Sequence, residues 1–165
     1  MSADGQATFE TADAGETSGI RVPPPLYFIA GLLVGFGLEQ ALPIDRPPAW
    51  VTIAGVTIGV AAWLALDGAA MVSFGRAKTP MNPFNPTTTL VTGGPYRFTR
   101  NPMYVGMAFL YVALALAFGL IWALILVPAV ILAVDRFVIA REEPYLEARF
   151  GEPYRDYKRR VRRWL

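Results

Sequence analysis

The chain has 165 residues, 54% of them hydrophobic and only 17% charged, a balance too apolar for an ordinary soluble domain. It contains no cysteine and no histidine, which excludes a disulfide framework, a Cys/His zinc site and a thiol or imidazole catalyst. Proton transfer therefore falls to Glu, Asp, Tyr, Lys or water, and the small net charge of +2 matters chiefly through its uneven distribution.

Residues 1–20 carry Asp4, Glu10, Asp13 and Glu16 among small polar residues. They lack the basic start and apolar core of a secretory signal, and read as a disordered acidic leader. Residues 21–165 read as a single all-α, polytopic membrane domain of about four spans.

The first span, about 26–42, opens after Pro23-Pro24-Pro25, where proline suits a helix entry because its missing N–H has no intrahelical partner there. Glu39 and Pro43 end it, so it is short or only partly embedded. The second, about 50–74, is interrupted only by Asp67. That residue reads either as an interfacial carboxylate or as a site residue, because ionisable groups at membrane depth are costly.

Met103 to Val134 runs without a charge. As one helix it would extend about 48 Å, against a hydrocarbon core of ~30 Å. Two antiparallel helices, about 102–118 and 120–140, fit better, with the turn at Gly119 and a kink at Pro128. The loop from Gly75 to Asn101 holds Arg76, Lys78, Arg97 and Arg100 and no acid. The tail, 141–165, is also rich in Arg and Lys, whereas the loop between spans one and two has only Arg46. The positive-inside rule then puts loop, tail and both termini in the cytoplasm, at the inner membrane if the source is bacterial.

Two polar cassettes flank the uncharged stretch: Gly93-Gly94-Pro95-Tyr96-Arg97-Phe98-Thr99-Arg100-Asn101-Pro102-Met103-Tyr104-Val105-Gly106, and Arg141-Glu142-Glu143-Pro144-Tyr145-Leu146-Glu147-Ala148-Arg149-Phe150-Gly151-Glu152-Pro153-Tyr154. A hairpin would bring them together on one face of the bilayer. Each piece alone has a plain explanation: Arg100 snorkels, Asn101 caps, Pro102 takes the first turn, Tyr104 joins the interfacial belt, and the Lys158–Trp164 tail anchors to anionic headgroups.

Together, Leu90-Val91-Thr92-x-Gly94-Pro95-Tyr96-Arg97-x-x-Arg100-Asn101-Pro102-Met103-Tyr104-x-Gly106, an apolar hairpin, and Glu142-Glu143-x-x-Leu146-x-x-x-Phe150-Gly151-x-x-Tyr154-x-x-Tyr157 resemble the isoprenylcysteine carboxyl methyltransferase and phospholipid methyltransferase family. The proline-rich entry to span one and the Thr79–Pro86 loop also look like its small prokaryotic members. Carboxyl methyltransferases of eukaryotes have His-Pro where this chain has Asn101-Pro102, whereas the phospholipid methyltransferases have Asn-Pro-Met-Tyr, as here.

The resemblance implies an integral-membrane methyltransferase that uses S-adenosylmethionine (AdoMet) and no metal. Its cofactor-contacting positions would be Thr88, Thr89, Leu90, Val91, Tyr96, Arg100, Asn101, Pro102, Met103, Tyr104, Glu142 and Glu143. Chemically, Glu142 suits the cofactor's ammonium or ribose hydroxyls, Arg97 or Arg100 its carboxylate, and the Tyr96 or Tyr104 ring its sulfonium. The N-terminus of helix three, begun by Pro102, offers free N–H groups to an anionic or carbonyl oxygen.

Methyl transfer is an in-line displacement that needs alignment and exclusion of water. The acceptor would be hydrophobic or lipid-like: a prenylated or lipid carboxylate, an amino-lipid or a hydrophobic thiol. Arg136 is the catalytic candidate on the acceptor side, because it stands seven residues before Glu143 and should share its helical face. Its alternative is a local pair with Asp135 or interfacial snorkelling.

Two other classes compete. A sterol-type NADPH reductase would share the layout, but those enzymes typically resemble Pro-Asn-Tyr-x-Gly followed by an acid, and here Met107 follows Gly106. A non-enzymatic scaffold would use the basic tail to hold lipids or a partner. Nucleic-acid binding is not expected, because the basic tail interleaves with acids directly after an apolar helix.

Overall fold

The computed structural model describes residues 22–77 and 89–165. The leader, Thr79–Pro86 and Thr88 lie outside them. The described residues are helical, with no strand among them.

Helix α1, Pro25–Ala41, starts where expected: the Leu26 and Tyr27 amides donate to the carbonyls of Pro23 and Pro24. Glu39 in its last turn accepts from the amide of Ile44 at 2.8 Å and from that of Trp122 at 3.3 Å. The Trp122 indole donates to Leu42 O at 2.7 Å. Glu39 thus ties the α1–α2 turn to the start of the fourth segment, which gives this apolar-zone acid a structural task.

Helix α2, Ala49–Ala77, is 29 residues long. It is the one described helix long and apolar enough, by length and composition, to cross a membrane. Helix α3, Pro102–Phe118, and α1 are apolar but have 17 residues each, at the short end of what a crossing needs. Leu33, Ile53, Ile58, Leu64 and Leu132 point outward. So much exposed apolar surface marks an interaction surface, here one suited to lipid.

Helix α3 ends as its sequence predicts. Gly119 takes a left-handed conformation (φ +67°), its amide donates to Leu116 O, and the Leu120 amide donates to Ala115 O. This is the Schellman arrangement, which satisfies carbonyls a helix end would otherwise orphan.

The fourth segment is less regular than a single helix over 120–140. It comprises α4 (Ile121–Ile125), α5 (Val127–Val134), a π turn (Asp135–Ile139) and α6 (Ala140–Phe150). Pro128 lies in the first turn of α5 and has no N–H to continue the ladder, so the expected kink is a break at Leu126. After Gly151 (φ +59°), α7 covers Glu152–Arg160.

Small residues let the helices approach closely. Gly59 of α2 faces Phe109 O and Ala113 of α3, and Gly35 of α1 faces Ala123 of α4. In a membrane setting such close packing replaces the hydrophobic drive between helices. One core joins α1, α3 and the fourth segment around Phe28, Tyr111, Val134 and Ile139, with the Tyr111 hydroxyl donating to Ala123 O at 2.8 Å. A second gathers Ala70, Tyr96, Tyr154 and Tyr157 at one end of α2 and α3, where Leu90, Val91 and Met103 pack against it.

Candidate functional site

The first cassette folds into a 3-10 turn, Gly94–Arg97, that drives Tyr96 inward. Gly94 has φ +60°, and a side chain there would collide with Ser73 of α2. The Tyr96 ring meets Phe74 edge-on at 5.7 Å, and its carbonyl accepts the Tyr157 hydroxyl at 2.7 Å. This bond joins the first cassette to α7.

The end of the chain returns alongside the first cassette. The Arg100 amide donates to Arg162 O at 2.9 Å. The carbonyl of Arg163 accepts from Thr99 Oγ1 at 3.1 Å and Asn101 Nδ2 at 2.9 Å. Asn101 therefore spends its side chain on the tail and does not cap α3.

The second cassette meets the first through two polar contacts as well as the packing of Tyr154 in the Tyr96 cluster. The Tyr104 hydroxyl donates to Glu142 Oε1 at 2.7 Å, and Arg100 Nη2 pairs with Glu143 Oε1 at 2.9 Å. Glu143 is 8% exposed and is shared with Arg163, which donates to it from Nε at 2.9 Å and from Nη2 at 2.6 Å. Arg163 Nη1 also reaches Asp135 at 3.0 Å, and the Trp164 indole donates to the same carboxylate at 3.0 Å.

Two guanidinium groups thus stand among three carboxylates. Glu143 and Asp135 are matched by Arg100 and Arg163. Glu142 is held by a neutral phenol. Burial raises the Glu142 pKa above its usual range, the Tyr104 bond partly lowers it, and the Glu143 charge raises it again. On the other side of the balance, Arg100 Nε and Nη1 are buried and donate to no group among the described residues. A buried donor without a partner is expensive. Among the described residues this cluster therefore offers one carboxylate without a cationic partner and the unused N–H bonds of two guanidinium nitrogens, a set complementary to a zwitterionic amino-acid end.

The structure brings together Tyr96, Arg100, Asn101, Pro102, Met103, Tyr104, Glu142 and Glu143. Leu90 and Val91 reach the edge of this set by packing on the Tyr96 cluster, whereas Thr89 is exposed. Leu90 also lines an open groove of about 460 Å³ with Thr92, Glu152, Pro153, Asp156 and Arg160, a lining that includes neither Tyr104 nor Glu142. Arg97 is exposed.

The expected shared face of Arg136 and Glu143 is corrected. Arg136 is exposed while Glu143 is buried. The π turn takes one more residue than an α turn and shifts the register between them. Asp135, eight positions before Glu143, is the residue that joins it on Arg163. The shift removes the reason for assigning Arg136 to the acceptor, and Asp135 pairs with Arg163 rather than locally.

Sequence reasoning missed Asp135, Arg163 and Trp164. The tail reads from sequence as a headgroup anchor, yet Arg163 is an internal ion-pair partner. Arg155, Lys158 and Arg159 are likewise paired with Glu147, Glu152 or Asp156. At least four of the tail's eight basic residues are therefore ion-paired within the chain.

A family model described as "Phospholipid methyltransferase" matches residues 50–153, which include Arg100, Tyr104, Glu142 and Glu143 but not Arg163. An uncharacterized protein of Haemophilus influenzae is 46% identical over 63 residues, 38% of this chain and 100% of its own length. No solved structure matches.

Proposed function

The chain belongs to the phospholipid methyltransferase family, and on that premise we propose that it is a membrane methyltransferase that uses AdoMet to methylate a lipid-like acceptor. The observation that carries the reading is the meeting of Tyr104 with Glu142 beside the unused donors of Arg100. Methyl transfer is the chemistry to expect of the family, and the outward apolar faces of α1 and α2 suit a bilayer.

The residues fit the cofactor. Glu142 would accept from the ammonium, and Arg100 Nε and Nη1 would donate to the carboxylate, both as charge-assisted bonds. The Tyr96 and Tyr104 rings would line the region of the sulfonium. When bound, AdoMet supplies an electrophilic methyl group. The chain's own residues then have three tasks: to hold the donor's amino-acid end, to align an acceptor arriving from the lipid side, and to exclude water.

Four crossings, with the cassettes and both termini on the cytoplasmic face, complete the proposal. The basic loop and the paucity of cations between α1 and α2 support that orientation. A reductase reading finds no support in the family match, and a scaffold would have no use for a buried, unpaired guanidinium edge.

The test is calorimetric titration of AdoMet, S-adenosylhomocysteine and NADPH into detergent-solubilised protein. AdoMet binding that weakens in Glu142→Ala and Tyr104→Ala supports the reading. NADPH binding in its place would sink it.

A further inference from the structure

We propose that Arg163 is a positioning residue of this site: by taking the paired face of Glu143, it leaves the remaining donors of Arg100 free for the carboxylate of the cofactor's amino-acid end. The proposal rests on the methyltransferase reading above and assigns the residue that sets its recognition of that carboxylate.

Three bonds to the backbone of the tail fix where Arg163 stands. The Arg100 amide donates to Arg162 O at 2.9 Å, and Arg163 O accepts from Thr99 Oγ1 at 3.1 Å and from Asn101 Nδ2 at 2.9 Å. The end of the chain therefore lies beside the segment that carries Arg100, and both guanidinium groups reach the same carboxylate.

They share it unequally. Arg163 meets Glu143 as a fork, from Nε to Oε1 at 2.9 Å and from Nη2 to Oε2 at 2.6 Å. Arg100 reaches it through Nη2 alone, to Oε1 at 2.9 Å. The fork is the geometry that a guanidinium and a carboxylate prefer. Each edge on which Arg100 could form one joins Nη2 to either Nε or Nη1. Those two nitrogens are the buried ones that donate to no group among the described residues.

Removing Arg163 would release Oε2 of Glu143, and a fork from Arg100 would then consume one of the free nitrogens. Asp135, which Arg163 Nη1 holds at 3.0 Å, would be released with it as a second competing acid. Arg100 and Glu143 are each only 10% exposed at the side chain, so water does little to satisfy the open edge. An unsatisfied buried donor is costly, and closure of Arg100 onto Glu143 is the relaxation to expect. Arg163 prevents it and so keeps the donors preorganised for an incoming anion.

Arg163 acts through Glu143 and Arg100 rather than on the cofactor. A tail that merely supported the fold would, when weakened, lower affinity for any ligand of the site. A positioning role lowers it only for ligands that bear the carboxylate.

The experiment titrates full-length protein in detergent with two probes. One is S-adenosylhomocysteine; the other is S-adenosyl-3-thiopropylamine, which keeps the ammonium and lacks the carboxylate. Wild type is expected to prefer the first by about 10–100-fold, the worth of a hydrogen bond between charged groups. Arg163→Met should bring the two affinities within about threefold of each other, through loss of S-adenosylhomocysteine binding alone. Arg163→Lys keeps the charge but supplies no fork; it should lose the preference too, and it decides the matter if Arg163→Met fails to fold. Combining Arg163→Met with Glu143→Gln removes the released carboxylate, and the preference should return. An unchanged preference in a folded Arg163 variant, an equal loss for both probes, or a double variant no better than Arg163→Met overturns the proposal. A wild type that binds both probes equally overturns it and leaves the methyltransferase reading standing. A wild type that binds neither overturns both.

Discussion

Tyr104 and Glu142, 38 positions apart, are joined by a 2.7 Å hydrogen bond from phenol to carboxylate. The bond links the first turn of α3 to the first turn of α6, and it exists only because α3 and the fourth segment form a hairpin. Neighbouring bonds draw Arg100, Glu143, Asp135 and Arg163 into the same network.

On the proposed reading, Glu142 should make AdoMet binding pH-dependent. Its folded-state pKa is raised, chiefly by burial, so without ligand it holds a proton above its usual value of 4.5. An acid whose pKa is raised on folding stabilises the fold at low pH and loses that contribution as pH rises from the ordinary value through the folded one. An ammonium requires the ionised form. AdoMet affinity should therefore strengthen with rising pH across that window and then level off, with proton release on binding. Calorimetry in two buffers of different ionisation enthalpy checks this. Glu142→Gln should flatten the dependence, and a slope of the opposite sign would contradict it.

Arg163 should matter to the fold as much as to the site. Replacement by Met leaves Asp135 unpaired by any cation and Glu143 with Arg100 alone. Hydrogen bonds to charged groups contribute about 1.5–3 kcal/mol, so Arg163→Met should lower the melting temperature and loosen the last five residues. Arg162→Met, at an exposed neighbour, serves as the control. Equal melting temperatures for the two variants would show that the tail is not held by this network.

Much of this arrangement was legible in the sequence, for local reasons. Pro102 and Gly119 bound α3, and the absence of a proline N–H at position 128 breaks the fourth segment; each acts through its own backbone. The cassettes meet because a hairpin requires it. What was not legible depends on register and distance. Counting seven residues from Arg136 to Glu143 assumes an unbroken α-helix, and the π turn adds the residue that puts Asp135 in that place. Nothing near Arg163 announces a partner 20 positions back at Glu143. Asp67 reads from sequence as either interfacial or functional, and its contact with Gly106 of α3 could not be read there.

The cysteine-free chain permits a direct topology test. Single cysteines at Arg46, between α1 and α2, and at Thr92, between α2 and α3, should react with a membrane-impermeant maleimide from opposite sides of sealed vesicles. Position 46 should label from the non-cytoplasmic face and position 92 from the cytoplasmic face. Labelling of both from one side would contradict a membrane-crossing α2.

The most direct test of the central claim is the affinity of solubilised, folded protein for AdoMet, measured in wild type and in Tyr104→Phe and Glu142→Ala. Saturable binding that weakens in both variants, more in Glu142→Ala, is the predicted result. No binding by wild type, with and without added lipid, or binding that neither substitution alters, would contradict the account.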